Sequence, residues 1–258
     1  MSNQGYTIGV MGGGVVGKAC ASFFKGAKVY DKFNPIDPLE EVLEQEVIFV
    51  CVPTPYNQGF DRSILDEVFA EIGKDKKERI VVIKSTGIPG TTDHFQKQYP
   101  HLKVLFNPEF LSEKTAQQDF IKPDKQLVGY TEQSRDVAPE ILGMLPSAPY
   151  QKTMPAVAAE LVKYGINTFY ATKVVFGNML YDFAESLGVD YQEVKEAFVS
   201  DQRIVDSHFD VLHGGYRGYG GKCLPKDLLA LLEMGKKQDV DVSLLETVDE
   251  MNKKYKDS

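Results

Sequence analysis

The chain has 258 residues and a formal net charge of −8, with 43% hydrophobic and 26% charged residues, as in globular proteins of one large or two smaller domains. The acidic balance argues against a surface that binds nucleic acid or anionic membranes, because such a surface needs a basic patch. The first residues do not resemble a signal peptide, and no apolar run approaches the ~20 residues that span a bilayer. We therefore expect a cytoplasmic protein with no nucleic-acid or membrane partner.

Short apolar runs alternate with helical patterns over residues 1–150. Buried strands are predicted at residues 6–11, 28–31, 47–52, 80–85, 103–107 and 126–130. Helices are predicted at residues 18–24, 63–73 and 91–99. Strand–helix alternation joins parallel strands through right-handed crossovers, so the pattern predicts an α/β domain with a Rossmann-like, doubly wound, mostly parallel sheet.

The pattern changes near residues 146–155, which contain three prolines. From Ala156 to Leu187 the chain lacks proline and its apolar residues recur at helical spacing, which predicts one long helix that ends at Gly188. Further helices are predicted at residues 191–200, 228–237 and 243–255. Residues 151–258 are therefore expected to form a mainly helical second domain around a long central helix.

A G-x-G-x-x-G motif joins the first predicted strand to the first predicted helix. Gly12 permits a tight turn, Gly14 lets the backbone approach a pyrophosphate, and Gly17 lets helix and strand pack closely. The helix N-terminus presents unpaired N–H groups to the phosphates. The motif, with Val15 and Val16 inside it, predicts a dinucleotide site, although a glycine-rich turn that binds no ligand has the same spacing.

The next predicted strand ends at Asp31. Its carboxylate can accept hydrogen bonds from the ribose hydroxyls and would repel a 2′-phosphate, which favours NAD over NADP. Lys32 weakens this preference, because its ammonium group could partly neutralise a phosphate. NAD is the predicted cofactor.

The three cysteines show no CxxC pair and no Cys/His cluster, which argues against a disulfide framework or a metal site. Cys20 lies in an apolar helix stripe and Cys51 in a buried strand, which favours a core position for both. Cys223 differs, because it lies in the loop GYGGKCLPKD. A thiolate there could be stabilised by backbone N–H groups, by Lys226, or by a helix N-terminus near Asp227. Alternatively, Asp227 caps that helix and Cys223 fills space.

The loop GYGGKCLPKD resembles the active-site cysteine loop of the UDP-glucose/GDP-mannose dehydrogenase family. Other segments resemble motifs of that family in the same order: VPTP (52–55), VIKSTGIPGTT (82–92), NPEFLSEKTAQQDF (107–120), ELVKYGINTFYATKVVFGN (160–178) and DQRIVD (201–206). The resemblance therefore covers almost the whole chain.

This resemblance implies an NAD-dependent enzyme that oxidises the C6 alcohol of a nucleotide sugar to a carboxylate, with UDP-glucose as the first choice of substrate. It implies that Cys223 is the nucleophile. It also implies that Lys163 and Asn167, four residues apart and so on one helix face, stabilise the developing oxyanions. The residues that hold the catalytic water or assist proton transfer would be Thr86, Glu113 and Asp227.

The resemblance implies two further groups of site residues. The cofactor site would include Val52, Pro53, Thr54, Ser85, Thr86 and Glu113. The substrate site would include Glu109, Phe110, Leu111, Lys163, Asn167, Tyr219, Gly220, Gly221 and Cys223.

A homodimer is expected through the long helix. Its apolar residues exceed what one small domain should need to cover, and the resemblance points the same way. They are Leu161, Val162, Phe169, Tyr170, Val174, Val175, Phe176 and Leu180.

Two features depart from the family pattern. The stretch that typically reads NPDR is KPDK here, with Lys125 at the arginine position. The third domain, which grips the uridine diphosphate end of the substrate in this family, has no counterpart in the sequence. We therefore expect a weak hold on that end.

Two other functions are compatible with the residues alone. A related NAD-dependent hydroxy-acid dehydrogenase would need the lysine and the asparagine but not the cysteine. A non-catalytic NAD-binding protein would need none of the three.

Overall fold

The structure is a computed structural model that describes residues 5–112, 114–212 and 215–256. The chain forms two compact units, Met1–Lys163 and Tyr164–Ser258, and the division falls inside one long helix. The domain boundary expected at residue 150 coincides with the start of a strand that belongs to the sheet of the first unit.

The first unit is built on a seven-stranded sheet. Its strands are β1 (Ile8–Met11), β2 (Lys28–Tyr30), β3 (Val47–Val50), β4 (Ile80–Ile83), β5 (Lys103–Phe106), β6 (Lys125–Tyr130) and β7 (Tyr150–Pro155). Their spatial order is β2-β1-β3-β4-β5-β6-β7, and every neighbouring pair is parallel except the antiparallel pair β5 and β6. The predicted Rossmann-like, doubly wound sheet is confirmed.

Helices cover both faces of this sheet. They are α1 (Val15–Phe23), α2 (Leu39–Leu43), α3 (Ser63–Gly73), α4 (Thr91–Gln98), α5 (Ala116–Ile121) and α6 (Ala138–Met144). Neighbouring strand residues such as Phe49 and Val50 pack in different core clusters, since successive side chains point to opposite faces. Strands buried on both faces must be apolar throughout, which explains the continuous runs IGVM, VIFV and IVVI. Cys20 and Cys51 lie in this core, as predicted.

The sequence did not reveal α2, α5, α6 or β7. The three helices have 5 to 7 residues, too few to show a helical period. Within the described part of the chain, strand β7 pairs only with β6, and its side chains are exposed or half-buried. An edge strand of this kind carries polar residues and can end in proline, so residues 150–155 show no buried-strand pattern.

The second unit is helical. Its helices are α7 (Ala156–Leu187), which begins in the first unit, α8 (Tyr191–Val199), α9 (Leu224–Lys237) and α10 (Ser243–Lys256). The mainly helical region with a long helix is confirmed, and Gly188, with φ of 67°, follows that helix as predicted. Helix α9 begins at Leu224, not at the predicted Leu228, because Pro225 fits the first turn of a helix, where no N–H is needed. Among the described residues, no helix has both the length and the apolar character that crossing a membrane requires.

Candidate active site

The loop from β1 to α1 carries the glycine motif. Gly12 has φ of 102°, and a Cβ there would lie 2.5 Å from the Cys51 carbonyl oxygen. A Cβ on Gly17 would lie 1.8 Å from the Gly12 carbonyl oxygen, so both positions require glycine. Gly14 is the N-cap of α1, and no atom of the residues that the structure describes lies within 4 Å of a Cβ built there. Open space above a helix N-terminus fits the pyrophosphate of a dinucleotide, and the half-buried Val16 and exposed Val15 flank it.

Asp31 follows β2 and is held in place by backbone donors. Its Oδ2 accepts a hydrogen bond from the Gly13 N–H at 2.8 Å. Its Oδ1 accepts from the Phe33 and Asn34 N–H groups, each at 3.0 Å. The bond from Gly13 is the main cause that lowers the pKa of Asp31, so the carboxylate stays ionised. Lys32 forms an ion pair with Glu67 at 2.6 Å. Both side chains are more than half exposed, so Glu67 offsets the charge of Lys32 only weakly.

The loops after β3 and β4 are joined by Ser85. Its hydroxyl donates to the Val52 carbonyl at 2.7 Å and accepts from the Val52 N–H at 2.9 Å. Pro53 is exposed, Thr54 is buried and Thr86 is half-buried. These predicted cofactor residues lie at the same sheet edge as the glycine motif, because β1, β3 and β4 are parallel neighbours. The Ser85 hydroxyl itself serves to connect the two loops.

Lys163, on α7, forms a buried ion pair with Glu109 in the loop after β5. The Lys163 Nζ donates to the Glu109 Oε1 at 2.8 Å and to the Glu109 carbonyl at 2.6 Å. The two side chains are 6% and 14% exposed. Burial acts to raise the pKa of Glu109, but the neighbouring Lys163 charge and hydrogen bonds lower it overall. The Glu109 carboxylate therefore stays ionised, and its two contacts fix the Lys163 Nζ at one point.

A cavity of about 360 Å³ in the first unit opens beside this ion pair. Its lining includes Lys84, Glu109, Phe110, Leu111, Phe120 and Lys125. It lies where β4 and β5 end and β6 begins, at the sheet edge where open α/β sheets bind ligands. The Phe110 ring centroid lies 4.6 Å from the Lys125 Nζ and 5.4 Å from the Lys163 Nζ. Lys125 therefore keeps a cation beside this loop at the position where an arginine was expected. Glu113, predicted in the same loop, lies outside the described residues.

The second unit carries the cysteine loop, residues 218–227. Cys223 is exposed and is the N-cap residue of α9, so it lies beside the positive end of the helix dipole. Asp227 is fully buried, and its two carboxylate oxygens accept from the Asn167 Nδ2 and the Lys226 Nζ, each at 2.5 Å. The alternative that Asp227 caps the helix is wrong, since Cys223 occupies that position. Asp227 instead fixes the Asn167 amide and the Lys226 ammonium group.

The glycine-rich part of the cysteine loop divides into a buried and an open section. Tyr219 is 3% exposed, and its ring packs in the core of the second unit with Val174 and Leu228. A buried ring leaves only the Tyr219 backbone to face a substrate, and the place of Tyr219 in the substrate site stays a prediction. Gly220 is half-buried, and Gly221, with φ of 74°, is exposed. These two glycines keep backbone groups accessible next to Cys223.

Two family profiles match the chain. The NAD binding domain of the UDP-glucose/GDP-mannose dehydrogenase family matches residues 32–143, and the central domain of the same family matches residues 157–254. The chain belongs to the UDP-glucose/GDP-mannose dehydrogenase family. Its cofactor is NAD, as predicted.

Individual relatives agree with this assignment. The chain is similar to the UDP-glucose 6-dehydrogenase of Rhizobium meliloti, with 34% identity over 237 residues, or 86% of this chain and 53% of that protein. It is also similar to the GDP-mannose 6-dehydrogenase of Pseudomonas aeruginosa, with 34% identity over 221 residues, or 79% of this chain and 50% of that protein. A UDP-glucose dehydrogenase structure from Pyrobaculum islandicum matches with a TM-score of 0.85 and 28% identity, over 96% of this chain and 68% of that chain. The chain spans about half the length of the curated relatives it matches.

The sequence did not reveal the structural role of Glu160, which lies about one helical turn before Lys163. Its carboxylate accepts from the Gly90 N–H at 2.6 Å, the Thr92 N–H at 2.9 Å and the Thr92 hydroxyl at 2.6 Å. Burial raises the pKa of Glu160 to about 7. These contacts tie the start of α7 to the start of α4. No local pattern indicates this role, because an acidic residue near the start of a helix is usually exposed.

Proposed function

We propose that the chain is the NAD-binding and catalytic part of a nucleotide-sugar dehydrogenase that oxidises UDP-glucose to UDP-glucuronate at C6. The observation that carries the proposal is the exposed Cys223 at a helix N-cap, with the buried Asp227 four residues further on and hydrogen-bonded to Asn167. A core cysteine would need neither feature. The UDP-glucose 6-dehydrogenases among its relatives support this choice of substrate.

In the proposed reaction, Cys223 is a covalent nucleophile. The C6 alcohol loses a hydride and a proton to give an aldehyde, and the Cys223 thiolate adds to the aldehyde carbon. The thiohemiacetal loses a second hydride and becomes a thioester, which water cleaves to a carboxylate and the free thiol. Bound NAD is the hydride acceptor for each oxidation. A thiolate suits this sequence because it is nucleophilic at neutral pH and its thioester can be hydrolysed in place.

Lys163 and Asn167 are proposed to stabilise the oxygen that becomes negative in each step. They lie one turn apart on α7 and supply an ammonium group and an amide donor. Glu109 holds the ammonium group, and Asp227 accepts one N–H of the Asn167 amide. The second amide N–H is then available for a substrate oxygen. Thr86 and Glu113 are proposed to hold the catalytic water.

An NADH absorbance assay against a panel of UDP- and GDP-sugars tests the proposal. We expect two NADH per UDP-glucose with the wild type and at most one with Cys223→Ser, because a hydroxyl is a far weaker nucleophile than a thiolate. Cys20→Ala is the matched control, since that thiol is buried in the first unit and should not affect the stoichiometry. Two-hydride turnover by Cys223→Ser would contradict the covalent mechanism.

We also infer a homodimer that forms through α7. Helix α7 exposes large apolar side chains, and these support the inference: Leu161, Phe169, Phe176, Phe183 and Leu187. Val174 and Val175, expected at this surface, are instead buried in the second unit. Light scattering at micromolar concentration tests the inference, and a monomeric mass contradicts it.

We infer a cytoplasmic location from the chemistry of the proposed nucleophile. Cys223 is exposed and is not in a disulfide, and such a thiol persists in a reducing compartment. Cell fractionation with an antibody against the chain tests this inference, and recovery from an oxidising compartment contradicts it.

A further inference from the structure

The segment that leads to Cys223 is held by helix α10. Asn252 of that helix is 5% exposed, and its Oδ1 accepts a hydrogen bond from the Tyr219 N–H at 2.7 Å. Its Nδ2 donates to the Tyr219 carbonyl at 3.1 Å. One side-chain amide therefore satisfies both backbone groups of a buried loop residue, which would otherwise lack partners.

Glycines in the cysteine loop leave room for close contacts. Gly218 has φ of 76°, and a Cβ there would lie 2.5 Å from the Asn252 Oδ1. A Cβ on Gly220 would lie 2.7 Å from the Tyr216 hydroxyl. A side chain at Gly218 would push the loop away from Asn252, so this glycine permits the close approach, whereas a side chain at Gly220 would meet Tyr216 instead.

Arg217, the preceding residue, fixes the start of the same loop. Its guanidinium group donates to the Asn178 Oδ1 at 3.0 Å and to Asp182 at 2.6 Å on α7. The guanidinium carbon also lies 4.8 Å from the ring centroid of Tyr255 on α10. Arg217 is therefore a second anchor of the loop.

In the sequence, Cys223 lies between two residues that are each hydrogen-bonded to a buried asparagine side chain. Tyr219 is bound by Asn252, and Asp227 is bound by Asn167. Only Gly220, Gly221 and Lys222 separate Tyr219 from Cys223, so a shift of Tyr219 is transmitted directly to the N-cap of α9. We propose that Asn252 is a positioning residue that holds Cys223 in its reactive geometry at that N-cap. This inference rests on the proposed role of Cys223 as the nucleophile.

Alkylation of Cys223 by iodoacetamide tests the inference without any hydride transfer. The rate at Cys223 is followed by peptide mass spectrometry across a pH series, which separates it from the two buried thiols. Asn252→Ala should lower the rate at neutral pH by threefold or more and move the pH midpoint of alkylation upward, because the thiolate loses its placement at the helix N-terminus. Asn252→Asp keeps an acceptor for the Tyr219 N–H, so its alkylation rate should fall less. This variant replaces Asn252→Ala in the test if the alanine variant does not fold.

Val248→Ala is the matched control, because Val248 is buried on the same helix and in the same apolar cluster as Tyr219 but has no polar group to hold the loop backbone. It should lower the melting temperature and leave the Cys223 alkylation profile unchanged. Wild-type alkylation by both Asn252 variants overturns the inference, as does an equal change in Val248→Ala. Failure of the proposed function is distinguishable, since it appears as two-hydride turnover by Cys223→Ser whatever the alkylation result.

Discussion

Replacing Glu160 with glutamine tests whether one buried carboxylate makes stability depend on pH near neutrality. Glu160 is fully buried, and burial raises its pKa to about 7 from an ordinary 4.5, against the three donors of Gly90 and Thr92 that favour the ionised form. The folded state therefore binds this proton more tightly than the unfolded state does. The stability that this proton contributes is fully present below pH 4.5 and is lost as the pH rises through about 7.

The size of the effect follows from the two pKa values of Glu160. A shift from 4.5 to about 7, at about 1.4 kcal/mol per pH unit, corresponds to ~3 kcal/mol. Between pH 4.5 and about pH 7, the free energy of unfolding of the wild type should therefore fall by up to ~3 kcal/mol relative to that of Glu160→Gln. Glutamine carries no titrating proton, so the variant lacks this part of the pH dependence.

Urea unfolding measured by far-ultraviolet circular dichroism from about pH 5 to about pH 7.5 provides the comparison. The difference in unfolding free energy between wild type and Glu160→Gln should change steadily with pH. Glu185→Gln is the matched control, since Glu185 is exposed on the same helix, and its difference from wild type should stay constant. A constant difference for Glu160→Gln over the whole range would refute the reasoning.

Four further substitutions probe the nucleotide loop, the ion pair and the core. Asp31→Ala should narrow the preference for NAD over NADP by ~1–3 kcal/mol, because one or two hydrogen bonds to a charged group are lost; calorimetry with both cofactors measures it, and equal wild-type affinities contradict it. Lys163→Ala should lower turnover on the order of 100-fold and also lower the Tm, because Glu109 stays buried without its cation; steady-state kinetics and a thermal scan measure both, and near-wild-type turnover contradicts the assigned role. Gly17→Ala should prevent NAD binding in a fluorescence titration, because its Cβ would lie 1.8 Å from a carbonyl oxygen of the loop; wild-type affinity contradicts this. Arg79→Ala should lower the free energy of unfolding by roughly 3 kcal/mol, since the buried guanidinium donates to two backbone carbonyls and a carboxylate; a change below ~1 kcal/mol in urea unfolding contradicts it.

The features that the sequence predicted correctly are those that neighbouring residues determine. Six strands were found because a parallel strand buried on both faces needs an uninterrupted apolar run, and VIFV and IVVI have no other plausible location. The glycine motif could be recognised in the sequence because both contacts that require Gly12 and Gly17 involve residues close to that loop: the Cys51 carbonyl and the Gly12 carbonyl. The cysteine loop was recognisable for the same reason, since Gly218, Cys223 and Pro225 occupy a single continuous segment.

Tertiary structure decided the features that depend on residues far apart in the chain. Strand β7 is a strand only because β6 supplies its hydrogen-bond partners, so its polar sequence carries no signal of its own. Glu160 reaches Thr92, Asn167 reaches Asp227 and Asn252 reaches Tyr219, across 68, 60 and 33 positions of sequence. A carboxylate or an amide on a helix has the same local pattern whether it faces water or a buried partner. Its role is therefore set by the fold that brings the partner to it, and the sequence alone determines the helix but not the contact.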